Sequence, residues 1–227
     1  MKLKKINEGL KESLIANGLT EANAMQQETF STLKSGADCL ILAPAGSGKT
    51  TTIVINVIQQ LVKEGEQSPR ALIIVEDKAK VLAMEALFEK YGKHTDISVY
   101  GVHDKGDMEY DKNYISGGVD VLIGTPNKLS EMFTTAGFNV NRLKMFILDD
   151  ADPILKLRHE TKIMRISNSI IKTQRIIFTE QMTDRIESLA DKMLVEPFEF
   201  DFEDYEEEDE EVEDFEEQEG DEENGNN

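Results

Sequence analysis

Short apolar runs recur along the chain at Leu40–Leu42, Ala71–Val75, Val121–Ile123, Met145–Leu148 and Ile176–Phe178, each bounded by polar or glycine positions. They are too short and too continuously apolar for surface helices, and they read as strands of a parallel sheet buried on both faces. Between them lie stretches of helical spacing. Ile53, Val54, Val57, Ile58, Leu61 and Val62 are separated by one, three or four positions and make one apolar stripe. Alternation of this kind over about 160 residues implies right-handed crossovers and helices on both faces of the sheet. Two further helices are predicted ahead of the first strand, over Lys5–Ala16 and Met25–Leu33, with Gly18 as the stop between them. At the other end Phe198, Phe200 and Phe202 alternate with acids, which predicts a last strand. The expected fold class is α/β: a three-layer domain around a mostly parallel sheet.

Charge divides the chain unevenly. Of the 45 acidic residues in 227, 17 fall between Asp201 and Glu223 with no Lys or Arg among them, leaving 28 acidic against 25 basic residues in positions 1–200. The expected organisation is one domain over residues 1–202 and a disordered acidic tail over 203–227, where self-repulsion and scarce apolar residues oppose packing. The nearly neutral domain can keep basic patches, while the tail repels phosphate and attracts cationic surfaces. Cys39, the one cysteine, cannot close a disulfide within the chain and sits in an apolar run. His94, His103 and His159 are scattered, without the spacing of a metal cage. No stretch reaches the roughly 18 apolar residues of a membrane span, and the start lacks a signal-peptide pattern, so a cytoplasmic protein without membrane partners is expected.

The strongest chemical signal is Ala43-Pro44-Ala45-Gly46-Ser47-Gly48-Lys49-Thr50, placed directly after one apolar run and before the striped helix. Gly46 and Gly48 permit the backbone N–H groups to turn inward around phosphate oxygens, and the helix N-terminus adds positive potential. Lys49 then reaches the β and γ phosphates and the Thr50 hydroxyl ligates magnesium. A carboxylate is needed opposite, and Asp149 and Asp150 follow the apolar run Met145–Leu148. Asp149 is expected to hold the metal and Asp150 to orient or deprotonate the attacking water. The competing reading is that these acids cap the next helix.

These elements, with others in the same order, resemble the DEAD-box RNA helicases, specifically their first RecA-like domain, a P-loop NTPase fold. Gly18-Leu19-Thr20-Glu21 followed by Gln26 is similar to the Q motif, Ala43–Thr50 to motif I, and Thr125-Pro126-Asn127-Lys128-Leu129 to the TPGRL element. Asp149-Asp150-Ala151-Asp152 stands at the DEAD position and Phe178-Thr179-Glu180-Gln181-Met182 at that of FSATM. The resemblance implies ATP and Mg2+ as cofactors, with nucleotide contacts from Gln26, Ala45, Gly46, Ser47, Gly48, Lys49, Thr50 and Thr51. It implies catalytic work by Lys49, Asp149 and Asp150, RNA contacts at Lys78, Gly101, Thr125, Pro126 and Lys128, and coupling of nucleotide state to RNA through Asp152 and Thr179.

Several positions depart from that pattern. Ala22 and Ala24 replace the two Q-motif prolines, Glu76-Asp77-Lys78-Ala79-Lys80 stands for PTREL, and Lys128 exchanges an arginine fork for a point charge. Asp150 withdraws its carboxylate by one methylene, a displacement of roughly 1 Å of the kind associated with about a hundredfold loss. The resemblance ends near Pro197, so a second RecA-like domain with its arginine finger is expected to be absent, which is worth about 10³–10⁵ in rate. The sequence therefore predicts ATP–magnesium binding, weak RNA binding, and weak or partner-dependent hydrolysis, the partner supplying the second domain. The alternative is an inactive helicase-fold binding module whose tail docks a basic protein or competes with RNA.

Overall fold

The structure, a computed structural model, describes residues 5–61 and 68–203. The helices are α1 (Glu8–Ala16), α2 (Ala24–Ser35), α3 (Lys49–Leu61), α4 (Lys78–Gly92), α5 (Met108–Ser116), α6 (Pro126–Thr134), α7 (Ala151–Lys156), α8 (Glu160–Ser167) and α9 (Asp184–Met193). The strands are β1 (Cys39–Leu42), β2 (Ala71–Ile74), β3 (Val99–Val102), β4 (Val121–Gly124), β5 (Met145–Leu148), β6 (Gln174–Thr179) and β7 (Phe198–Asp201). Among the described residues they form one sheet in the order β3-β4-β2-β5-β6-β1-β7, with every neighbouring pair parallel.

Period-two alternation along the strands splits the core into two clusters. Ile41, Ile73, Ile123, Ile147 and Phe178 pack against Leu14, Phe30, Ile53, Val57, Met84 and Phe88, residues of α1 to α4. Leu40, Leu72, Leu122, Phe146, Leu148 and Ile177 pack against Ile115, Leu129, Ile154, Ile163 and Leu189, residues of α5 to α9. Both faces of the sheet are thus covered, and this is why β1, β2, β4 and β5 are buried at every position rather than at alternate ones. The three-layer α/β arrangement expected from the sequence is present, in the architecture of a RecA-like domain.

Local signals set the element ends. Asn7 Oδ1 accepts from Leu10 N at 3.1 Å and caps α1, and Gly18 follows it at φ 80°. Asn23 and Gln26 close a reciprocal capping box at the start of α2, which ends at Gly36 with φ 87°. Position 62 of the α3 stripe and the expected acidic tail at 204–227 lie outside the described residues. One strand, β3, was not among the predicted runs. It lies at the edge of the sheet with Val99, Tyr100 and Gly101 only half-buried, so it carries no continuous apolar signature. No helix among the described residues is long and apolar enough to cross a membrane.

The strand order places β5, β6 and β1 side by side. Their C-terminal ends therefore deliver Asp149, Thr179 and the loop after Leu42 to one rim, where ligands of open parallel sheets bind.

Candidate nucleotide site

The loop joining β1 to α3 passes through left-handed geometry at Gly46 (φ 83°) and Gly48 (φ 88°), which only glycine adopts without strain. A Cβ on Gly48 would stand 3.1 Å from Asn23 Nδ2, and that amide donates to Ser47 O at 2.9 Å. The cap of α2 thus buttresses the loop from behind. Ala45 and Gly46 are exposed, while Ser47, Gly48, Thr50 and Thr51 are half-buried.

Lys49 folds its ammonium back into the curve of the loop, leaving the residue 5 % exposed. Nζ donates to Ala43 O at 2.9 Å and Pro44 O at 3.0 Å, and pairs with Asp150 Oδ1 at 3.2 Å and Glu180 Oε1 at 3.3 Å. Opposite the loop, Thr50 Oγ1 donates to Asp149 Oδ2 at 3.2 Å. The hydroxyl and carboxylate expected to share a magnesium ion are therefore in contact across the crevice. Asp149 Oδ1 at this contact and Ser47 Oγ in the loop are buried without hydrogen-bond partners among the described residues, and buried polar atoms of this kind call for a water or an ion. A hard divalent cation takes oxygen ligands of this sort, and the donor set fits magnesium.

Burial, and then the charge of neighbouring Asp150, pushes the Asp149 carboxyl up to about 6, against the opposing pull of Lys80, Thr50 and Lys49. Folding therefore disfavours the ionised form. The contribution of this group to stability is complete below its ordinary value of 3.8 and is lost as pH rises through about 6. Asp149→Asn should accordingly stabilise the fold by about 3 kcal/mol at pH 7.5, raising the melting temperature, and change little at pH 4. Thermal melts of both proteins at the two pH values check this.

Asp150 occupies left-handed geometry at φ 56° and precedes α7 without capping it. Its carboxylate spans two cations instead, Lys49 at 3.2 Å and Lys80 at 3.2 Å. The helix-cap reading of this acid is thereby set aside. Burial lowers the Lys80 ammonium, yet its hydrogen bond to Asp150 and the charges of Asp150, Asp149 and Glu76 leave it raised. Asp152 and Thr179 meet: Thr179 Oγ1 donates to Asp152 Oδ2, which also accepts from Glu180 N at 2.8 Å. The end of β6, with Glu180 just beyond it, is thus tied to the acidic corner.

Gln26 is buried, and its Oε1 accepts from Asn23 N at 3.2 Å within the capping box. Its amide lies against the phosphate loop, 3.6 Å from where a Cβ of Gly48 would stand. The pocket on this side is lined by Asn23, Met25, Pro44, Ala45, Gly46, Ser47 and Phe202. Met25 and Phe202 give this pocket apolar walls. Asn23 was legible as the first residue of an Asn-x-x-Gln box, whereas Phe202 reaches the loop only because β7 pairs with β1.

The residues expected to touch RNA separate into two groups. Lys78, Thr125 and Pro126 line a groove between the starts of α4 and α6, together with Lys105 and the acids Glu76, Asp77 and Asp104. Lys128 and Gly101 do not present themselves there. Lys128 Nζ is buried against Asp111 Oδ2 at 2.8 Å and donates to Gly106 O at 2.8 Å, so its charge is neutralised inside the domain rather than offered to phosphate. Gly101 is a packing position: a Cβ would fall 2.5 Å from Val81 Cγ1 and from Glu85 Cδ, and its N–H donates to Glu85 Oε1 at 2.6 Å. Gly101→Ala should cost about 1–3 kcal/mol through overpacking, read as a lower denaturant midpoint.

A family model described as DEAD/DEAH box helicase matches residues 23–188. Among curated proteins the chain is similar to a protein named ATP-dependent RNA helicase eIF4A from Eremothecium gossypii, 27 % identical over 194 residues that make up 85 % of this chain and 49 % of that protein. A protein of the same name from Candida albicans is 28 % identical over 160 residues, 70 % of this chain and 40 % of that one. ATP-dependent RNA helicase DBP4 from Meyerozyma guilliermondii is 29 % identical over 198 residues, 85 % of this chain and 26 % of that protein. The chain thus spans about half the length, or less, of the curated relatives it matches.

Proposed function

The chain belongs to the DEAD/DEAH box helicase family, and from that premise we propose that residues 1–202 form a RecA-like domain that binds ATP with magnesium, and RNA weakly, followed by an acidic segment at 203–227. The observation that carries the reading is the Thr50–Asp149 contact at 3.2 Å at the end of a glycine-bearing loop, with the second Asp149 oxygen buried and unpartnered among the described residues. In this reading the backbone of Ala45–Gly48 surrounds phosphate oxygens, Lys49 and Thr51 support them, and Gln26 with Met25 and Phe202 faces the base. Thr50 and Asp149 hold the metal. Bound magnesium would neutralise charge developing on the terminal phosphates.

Asp150 is the residue placed to orient the attacking water, and its carboxylate is shared between Lys49 and Lys80. Both oxygens of that carboxylate are engaged by ammonium groups rather than open to a water, which supports weak hydrolysis until a partner rearranges the corner. The Asp152–Thr179 bond is the proposed link between that corner and the RNA groove. RNA contact is assigned to Lys78, Thr125 and Pro126, with Lys105 as an added cation. Three acids share this groove, so binding should be weak and steeply salt-dependent. The partner would supply a second RecA-like domain, and the location would be cytoplasmic.

Calorimetric titration with ATP and magnesium, with and without single-stranded RNA, tests the reading. Saturable, magnesium-dependent heat is expected. The clamp of carboxylates on Lys49 favours one rival reading, a binding module that has lost nucleotide and uses its acidic segment to dock a basic protein. That module would show neither heat nor any change in melting temperature with nucleotide.

A further inference from the structure

We infer that Glu180 is a specificity-determining residue of the nucleotide crevice, its carboxylate on Lys49 making the site favour a nucleoside diphosphate over a triphosphate. The inference rests on the nucleotide reading above and deepens it.

An ammonium has three donors, yet Lys49 Nζ has four acceptors within reach: Ala43 O, Pro44 O, Asp150 Oδ1 and Glu180 Oε1. A phosphate can approach this cation only by displacing one of them. The two carbonyls belong to the loop itself, and Asp150 is held by Lys80 as well. Glu180 is the acceptor that can yield, because its side chain is 41 % exposed whereas that of Asp150 is 12 % exposed. Its backbone is nevertheless anchored, since Glu180 N donates to Asp152 Oδ2 at 2.8 Å. A displaced carboxylate therefore stays at the mouth of the crevice and keeps repelling anions.

A magnesium-bound triphosphate carries about one more negative charge than the corresponding diphosphate, so the same fixed carboxylate opposes it more. Asp150 adds to the opposition, but it has Lys80 as a counter-charge. Among the described residues Glu180 forms its ion pair with Lys49 alone. Partial exposure screens the effect, and the expected discrimination is about tenfold.

The test uses Glu180→Gln, which preserves shape and the acceptor oxygen while removing charge. Dissociation constants for magnesium-ADP and for magnesium with a non-hydrolysable ATP analogue are measured by displacement of a fluorescent nucleotide from both proteins. The variant should bind both nucleotides more tightly, the triphosphate gaining about tenfold over the diphosphate. Glu180→Ala, which also removes the acceptor, should move the ratio the same way. An unchanged ratio with both nucleotides bound overturns the role of Glu180 and leaves the nucleotide site standing. Absence of binding to wild type and both variants overturns both readings together.

Discussion

Lys49→Ala should weaken binding of ATP–magnesium by about a hundredfold or more. The ammonium is the cation in the curve of the loop, and a phosphate bound there without it loses a charge-assisted contact of about 3 kcal/mol. The substitution also leaves Asp150 and Glu180 facing the same space without the cation that balances them, so their repulsion adds to the loss. The fold should tolerate the change in part: Lys80 still holds Asp150 at 3.2 Å, while the buried Ala43 carbonyl loses its donor. Titration by calorimetry, paired with a thermal melt, separates the two effects. An affinity within threefold of wild type would contradict the phosphate site.

Lys128→Ala should act on stability rather than on RNA. Lys128 and Asp111 are 3 % and 4 % exposed, and removing one partner of a buried pair costs about 3–5 kcal/mol because the other charge is stranded. Asp111 also accepts from Tyr100 Oη at 2.8 Å, so the stranded carboxylate sits at the junction of β3 and α5. The melting temperature should fall by roughly 10 °C. A double variant, Lys128→Met with Asp111→Asn, should recover most of that loss, since no uncompensated charge remains. A drop in RNA affinity without a change in melting temperature would return Lys128 to the RNA surface, where its sequence position alone had put it.

That reversal shows where sequence reasoning ends for this chain. The strands buried on both faces were legible as apolar runs, and Met145–Leu148 coincides with β5 at both ends. The loop was legible too, because glycine placement and the flanking strand and helix are local. Asp149 and Thr50 were paired by chemistry before their contact at 3.2 Å was seen. Direction and partnership were not legible. Lys128 turns inward because its counter-ion lies on α5, an element away, and nothing in the local pattern distinguishes an inward lysine from an exposed one. Glu180 stood out only as a departure from the resemblance. Its contact with Lys49 bridges 131 positions and depends on β6 lying between β1 and β5. Gly101 was assigned to RNA, and only the packing of β3 under α4 reveals the steric reason for its lack of a side chain.

The order of the sheet also bears on how the polypeptide acquires its shape during synthesis. β1 carries the loop yet pairs on both sides with strands far later in the chain, Cys39 aligning with Ile176 on one flank and with Phe198 on the other. Hydrogen-bonding between segments so far apart in the chain is slow to nucleate. A nascent chain arrested before about residue 174 would hold the glycine bend and the striped helix without a flanking strand for β1. Ribosome-bound intermediates of that length should expose Leu40 and Ile41, making them candidates for chaperone capture until β6 and β7 emerge.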